Sequence, residues 1–212
     1  MSERQQAVMI VIAGPSGSGK STVFPVDSFG LPWFNVDHWC AQMSGSYQNI
    51  TPELRALGGQ ECERFVHRKI DARSSIALET TLRGRHAIDQ ARVARDAGLF
   101  TVMNYISTET LEVAIERVRR RGLSGGHAAP PQLIAEIYEK SHQNLKVATQ
   151  VFHQVNIFTS PQEELNADGA LEWSSPRLEA RFVDQKLMVL NTPIALWLSR
   201  SSIREAVMGY QS

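Results

Sequence analysis

The sequence predicts an α/β fold, a three-layer sandwich with helices on both sides of a five-stranded, mostly parallel sheet. Three observations carry this reading. Residues 7–13, from Ala7 to Ala13, form an unbroken apolar and β-branched run that stops at a glycine, the pattern of a central strand buried on both faces. Strand-like and helix-like segments then alternate five times, as parallel strands joined by crossover helices do. The turn after the first strand, residues 14–22, is too rich in glycine to prolong it and leads into a helical segment.

The elements follow in order. Pro25 must kink or shorten the first helix, because its ring clashes with the preceding turn. Residues 33–36 read as a second strand, followed by Asp37. Thr51 caps a helix that begins Pro52-Glu53-Leu54; Gly58 and Gly59 are expected to break it, and helical spacing resumes from Gln60 to Arg73. Ser75 to Glu79 is a third strand, Gly84 to Ala97 a helix, and Leu99 to Ile106 a fourth strand. Thr108 is expected to cap a helix from Glu109 to about Arg121. Gly122 to Pro131 reads as a hinge, Gln132 to Thr149 as a helix, and Val151 to Phe158 as the fifth strand. Alternation over 178–183, a turn at Asp184-Gln185 and a return over 186–190 predict a terminal hairpin, and Pro193 onward a closing helix. We expect one domain over 1–212, with a lid at about 109–149 and a hairpin appendage at about 170–212.

Composition narrows the class. The 212 residues carry 22 Lys+Arg against 22 Asp+Glu, so no global charge draws the chain to nucleic acid or an anionic membrane, and neither partner is expected. Mean hydropathy is −0.23, and the apolar run at 7–13 is far shorter than the roughly 20 residues a membrane-spanning helix needs. Residues 1–6 are polar and mixed, unlike an export signal, and Cys40 and Cys62 have no metal-like spacing, so a cytoplasmic location is expected.

Gly14-x4-Gly19-Lys20-Ser21 matches the phosphate-binding P-loop, and it lies between a predicted strand and a predicted helix, as that motif requires. Its glycines let backbone N–H groups turn inward around a phosphate, Lys20 reaches the β- and γ-phosphates, and the Ser21 hydroxyl is placed to ligate Mg²⁺. Gly14, Ser16, Gly17, Ser18, Gly19, Lys20, Ser21 and Thr22 are therefore the candidate nucleotide-binding residues, with Mg²⁺ and ATP or GTP as cofactors. No base-reading Asn-Lys-x-Asp motif of GTPases occurs, and the third strand does not end in the paired acids of ATP-driven motors. A kinase needs a carboxylate to take a proton from the acceptor hydroxyl, and Asp37, after the second strand, opens onto the same crevice. Its alternative role is to cap the helix over 38–44. Trp33, Phe34 and Trp39 either stack on a ligand ring or pack in the core.

The P-loop together with Asn35-Val36-Asp37, Glu79-Thr80-Thr81-Leu82-Arg83-Gly84-Arg85, Ile115-Glu116-Arg117-Val118 and Gly125-Gly126-His127 resembles the zeta-toxin-like P-loop kinases, in their short single-domain bacterial branch, over residues 8–160. The resemblance implies a Mg²⁺-dependent kinase acting on a hydroxyl of a small molecule such as UDP-N-acetylglucosamine, with an antitoxin-like protein as partner. It implies Asp37 as general base, Lys20 and Ser21 on nucleotide and metal, Glu79, Thr80 and Arg85 on the acceptor, and Arg117 as a lid arginine on the transferring phosphate. Arg120, Arg121 and His127 join the lid. One departure stands out: Ser124 occupies the place before Gly125 where relatives commonly carry arginine, and Arg121 or Lys140 are the candidates to replace it. Other readings are a nucleotide-binding switch or interaction module with little transfer, and a kinase for an antibiotic or nucleoside.

Overall fold

A computed structural model of the chain describes residues 6–48, 50–124, 129–165 and 170–209. Its main sheet runs in the order β2-β3-β1-β4-β5-β8-β9. The parallel part consists of β1 (Val8–Ala13), β2 (Trp33–Asn35), β3 (Ile76–Thr80), β4 (Phe100–Ser107) and β5 (Gln154–Thr159). The expected five strands become seven because the terminal hairpin, β8 (Arg177–Val183) and β9 (Lys186–Leu190), is not an appendage. It extends the sheet by pairing β8 antiparallel to β5, and it buries Ala180 and Phe182 in the main core.

The intervening helices are α1 (Lys20–Val23), α2 (Val36–Ser44), α3 (Pro52–Asp71), α4 (His86–Asp96), α5 (Leu111–Leu123) and α6 (Pro131–Val151). Pro25 has the expected effect: α1 is a single turn, and a 3₁₀ segment follows from Val26 to Phe29. The closing helix divides into α7 (Leu196–Ser199) and α8 (Arg204–Met208), both seated on the core through Trp197, Leu198 and Val207. The core packs Met9, Val11 and Ala13 of β1 and Met103 and Tyr105 of β4 against Val66 and Ile70 of α3, Ile88 and Ala91 of α4 and Leu145 and Ala148 of α6. The end of α6 thus belongs to the body of the domain, whereas α5 and the start of α6 share a separate small cluster of Ala114, Val118 and Ile134.

The expected break at Gly58-Gly59 does not occur: α3 runs unbroken from Pro52 to Asp71, capped by Thr51, whose Oγ1 accepts from the Leu54 N–H. Gly58 serves a close helix approach instead. A Cβ there would lie 2.9 Å from Cys40 Sγ and 3.1 Å from atoms of both Trp39 and Val36, so α2 rests directly on the α3 backbone. Gly59 faces open space. Gly58→Leu is therefore expected to cost about 1–3 kcal/mol by overpacking, while Gly59→Ala adds about 0.5–1 kcal/mol through helix propensity. Urea melts of the two variants check this, and equal effects would contradict it.

A partly buried aromatic group ties α6 to the C-terminal helices. His142 Nε2 lies 2.9 Å from Ser107 Oγ, and its ring stacks on Trp197 at 5.1 Å and meets Tyr138 edge-on at 4.3 Å. Burial pulls the His142 imidazole down to about 4. Its folded value lies below the unfolded one near 6.5, so the neutral ring's contribution is complete above pH 6.5 and is lost as pH falls toward 4. Wild type should lose up to about 3 kcal/mol more stability than His142→Gln between pH 7 and pH 4. Equal losses in denaturant melts at the two pH values would contradict this.

Candidate active site

The loop 14–19 joins β1 to α1 and wraps a buried lysine. Lys20 Nζ donates to the carbonyls of Gly14 at 2.8 Å and Pro15 at 3.0 Å. Burial lowers the Lys20 ammonium below its ordinary range, and Glu79 partly restores it while Arg121 lowers it further. Ser18 Oγ is buried beside it with no hydrogen-bond partner. A desolvated cation and an unpaired hydroxyl in one loop suit an anion that the loop would enclose. Gly17 packs the loop onto α5: a Cβ there would lie 2.3 Å from the Ala114 carbonyl oxygen.

Ser21 Oγ lies 3.1 and 3.2 Å from the two carboxylate oxygens of Glu79, at the end of the adjacent strand β3. A hydroxyl and a carboxylate held together beside a phosphate loop form a hard-oxygen set of the kind that suits Mg²⁺, whose other ligands come from phosphates and water. Among the described residues no group of three or more His, Cys, Asp or Glu is arranged as a protein-only metal site.

Asp37 lies in the first turn of α2, but the cap is Asn35, whose Oδ1 accepts from the His38 N–H. Its carboxylate takes an ion pair from Arg55 of α3 at 2.8 Å. Ser21, Glu79, Asp37, Asn35, Trp33, Tyr47 and Arg121 line one open cavity of about 520 Å³. Of the three aromatic candidates only Trp33 lines it. Phe34 packs on Phe65 at 5.6 Å between ring centres, and Trp39 lies at Gly58.

A second cavity, of about 440 Å³, opens on the other side of the loop, lined by Gly17, Gly19, Thr22, Arg117, Pro161 and Trp173 among others. Arg117 is fixed there. It donates to Ser160 Oγ at 2.8 Å and to the Pro161 carbonyl, and its guanidinium lies 5.5 Å from the centre of the Trp173 ring. Arg121, one helical turn later, lines both cavities. Arg120 turns to Glu116 at 2.8 Å, and Lys140 pairs with Glu136 at 2.7 Å, a carboxylate that Arg83 also binds.

The remaining candidates lie apart. Thr80 Oγ1 accepts from the Leu82 N–H and holds the turn after β3, where Leu82 has φ 56. Thr80 borders a third cavity, between α3 and α4, which also touches Glu79. Arg85 is exposed at the head of α4, outside all three cavities. Ser124 ends α5, its N–H bonded to the Arg120 and Arg121 carbonyls, and His127 lies outside the described residues. Sequence reasoning missed Arg55, Tyr47 and Trp173. Arg55 stands in a recognised helix start, but only the fold brings it 18 positions back to Asp37.

This fold, a parallel β2-β3-β1-β4-β5 sheet with a glycine-rich loop after β1, is shared with two solved structures. A solved chain of the AvrRxo1-ORF1:AvrRxo1-ORF2 complex with ATP superposes with a TM-score of 0.64 at 16% identity, covering 95% of this chain and 65% of that one. The present chain therefore spans just under two thirds of that protein. The PezAT chromosomal toxin-antitoxin system of Streptococcus pneumoniae superposes with a TM-score of 0.54 at 17% identity, over 79% of this chain and 71% of the other. In sequence, the chain is 29% identical over 132 residues to an uncharacterized protein of Haemophilus influenzae, covering 61% of this chain and 91% of that protein. No family model matches. No helix among the described residues is long and apolar enough to cross a membrane.

Proposed function

We propose that the protein is a Mg²⁺-dependent kinase that moves the γ-phosphoryl group of a nucleoside triphosphate to a hydroxyl of a small molecule. The observation that carries this reading is Lys20, a buried ammonium held on two loop carbonyls, with Asp37 across the adjoining cavity. The triphosphate lies along loop 14–19, with its base toward the 440 Å³ cavity and the acceptor in the 520 Å³ one. Lys20 then exchanges its carbonyl partners for phosphate oxygens. Ser21 and Glu79 would hold the Mg²⁺, which would offset charge on the phosphates.

Arg55 orients Asp37, whose carboxylate accepts the acceptor's proton as the acceptor oxygen bonds to the γ-phosphorus and the bond to the β–γ bridging oxygen breaks. The geometry favours Arg121 over Arg117 as the arginine facing the transferring phosphate, since Arg117 is engaged at the base end by Ser160 and Pro161. In this reading the moving part is α5 and the first turns of α6, since Leu145 and Ala148 pack in the main core. Glu79, which lines the acceptor cavity and hydrogen-bonds Ser21, is assigned here to the metal as well as to the acceptor.

UDP-N-acetylglucosamine is the first acceptor to test, followed by nucleosides and hydroxylated antibiotics. An antitoxin-like protein as partner is supported by the similarity to a chain from a toxin-antitoxin system. Incubation with γ-labelled ATP or GTP, Mg²⁺ and this panel should place label on one acceptor. Nucleotide binding with no transfer to any of them would favour a nucleotide switch instead.

A further inference from the structure

Between β5 and β8 the chain forms a separate two-stranded ribbon, β6 (Glu163–Leu165) and β7 (Leu171–Trp173), outside the main sheet. Its base is closed by two hydrogen bonds, from the Ser174 N–H to the Gln162 carbonyl at 2.8 Å and from the Gln162 N–H to Ser174 Oγ at 2.9 Å. Arg120 of α5 approaches Glu163 at 3.9 Å. These contacts hold Trp173 at the end of the ribbon, paired with Glu163, at a wall of the 440 Å³ cavity.

Trp173 is 59% exposed there, a large ring left open beside the phosphate loop. Gly17 and Gly19 of that loop and Thr22 of α1 line the same cavity, so a ligand with phosphates on the loop has its far end within reach of the indole. Arg117 backs the ring, and its own bonds to Ser160 and Pro161 keep it from following a phosphate.

Building on the nucleotide reading above, we propose that Trp173 is the stacking platform for the nucleotide base and that the β6–β7 ribbon is a donor-specificity element. Stacking on an indole reads π-area rather than the hydrogen-bonding edge, so purine nucleotides are preferred over pyrimidine ones.

The test compares two probes, ATP and inorganic tripolyphosphate, by calorimetry on the full chain. Trp173→Ala should weaken ATP about 5- to 100-fold and leave tripolyphosphate binding unchanged, while Trp173→Phe, which keeps a ring, stays within a few-fold of wild type for ATP. The difference in emission between wild type and Trp173→Phe should be quenched by ATP and not by tripolyphosphate. Unaltered ATP affinity in Trp173→Ala would overturn the proposal, and so would an equal loss for both probes, which marks a structural role. Lys20→Ala separates the two levels of the argument, since it should weaken both probes. If it weakens neither, the phosphate site itself is misread.

Discussion

Lys20→Ala is expected to weaken binding of Mg²⁺-ATP by about 10²–10⁴-fold, from the loss of charge-assisted hydrogen bonds to two phosphate oxygens at about 1.5–3 kcal/mol each. Lys20 is buried, and its hydrogen-bond partners are two carbonyls and no carboxylate. An arriving phosphate therefore adds counter-charge in direct contact, beyond what Glu79 supplies, and offsets the desolvation that lowers the ammonium. Lys140→Ala is the matched control, because that lysine is committed to Glu136 on the exposed side of α6. Calorimetric titration of both variants should show the loss only in the first, and equal affinities would contradict the assignment of the loop.

The second large effect is expected on transfer rather than binding. Asp37→Asn keeps the size of the side chain and can still face Arg55, but it cannot take up the acceptor's proton, so turnover should fall by about 10²–10⁴-fold. ATP affinity should change by less than a few-fold, since Asp37 lies across the 520 Å³ cavity from the base-side pocket. A parallel loss of ATP binding would instead assign Asp37 to the nucleotide. Arg55→Ala should give a smaller fall in turnover, because the carboxylate survives and only its anchor is removed.

Where the chemistry was local, the sequence was readable. The glycine-rich turn between β1 and α1, the short α1 before Pro25 and the Thr51 cap are each written within a few residues, and each is found in the structure. What depends on packing between distant segments was hidden. Gly58 looks like a helix breaker until α2 is laid against it, and β8 reads as a free hairpin until the open edge of β5 accepts it. The arginines of α5 pose the same difficulty: four of them crowd positions 117–121, and only the loop after β5, with its Ser160 and Pro161, distinguishes Arg117, held at the 440 Å³ cavity, from Arg121 at the junction of the two cavities. Trp173 carried no signal at all, since its ribbon strands are three residues long, too short for periodicity to register.

The central claim, transfer of a phosphoryl group from ATP to an acceptor hydroxyl at Asp37, is tested most directly by mass spectrometry of an acceptor mixture incubated with Mg²⁺-ATP and either wild type or Asp37→Asn. The account predicts one acceptor heavier by a single phosphoryl group with wild type, formed together with ADP, and the same acceptor unmodified with Asp37→Asn. ADP and free phosphate with every acceptor unchanged, or equal product from both proteins, would contradict it.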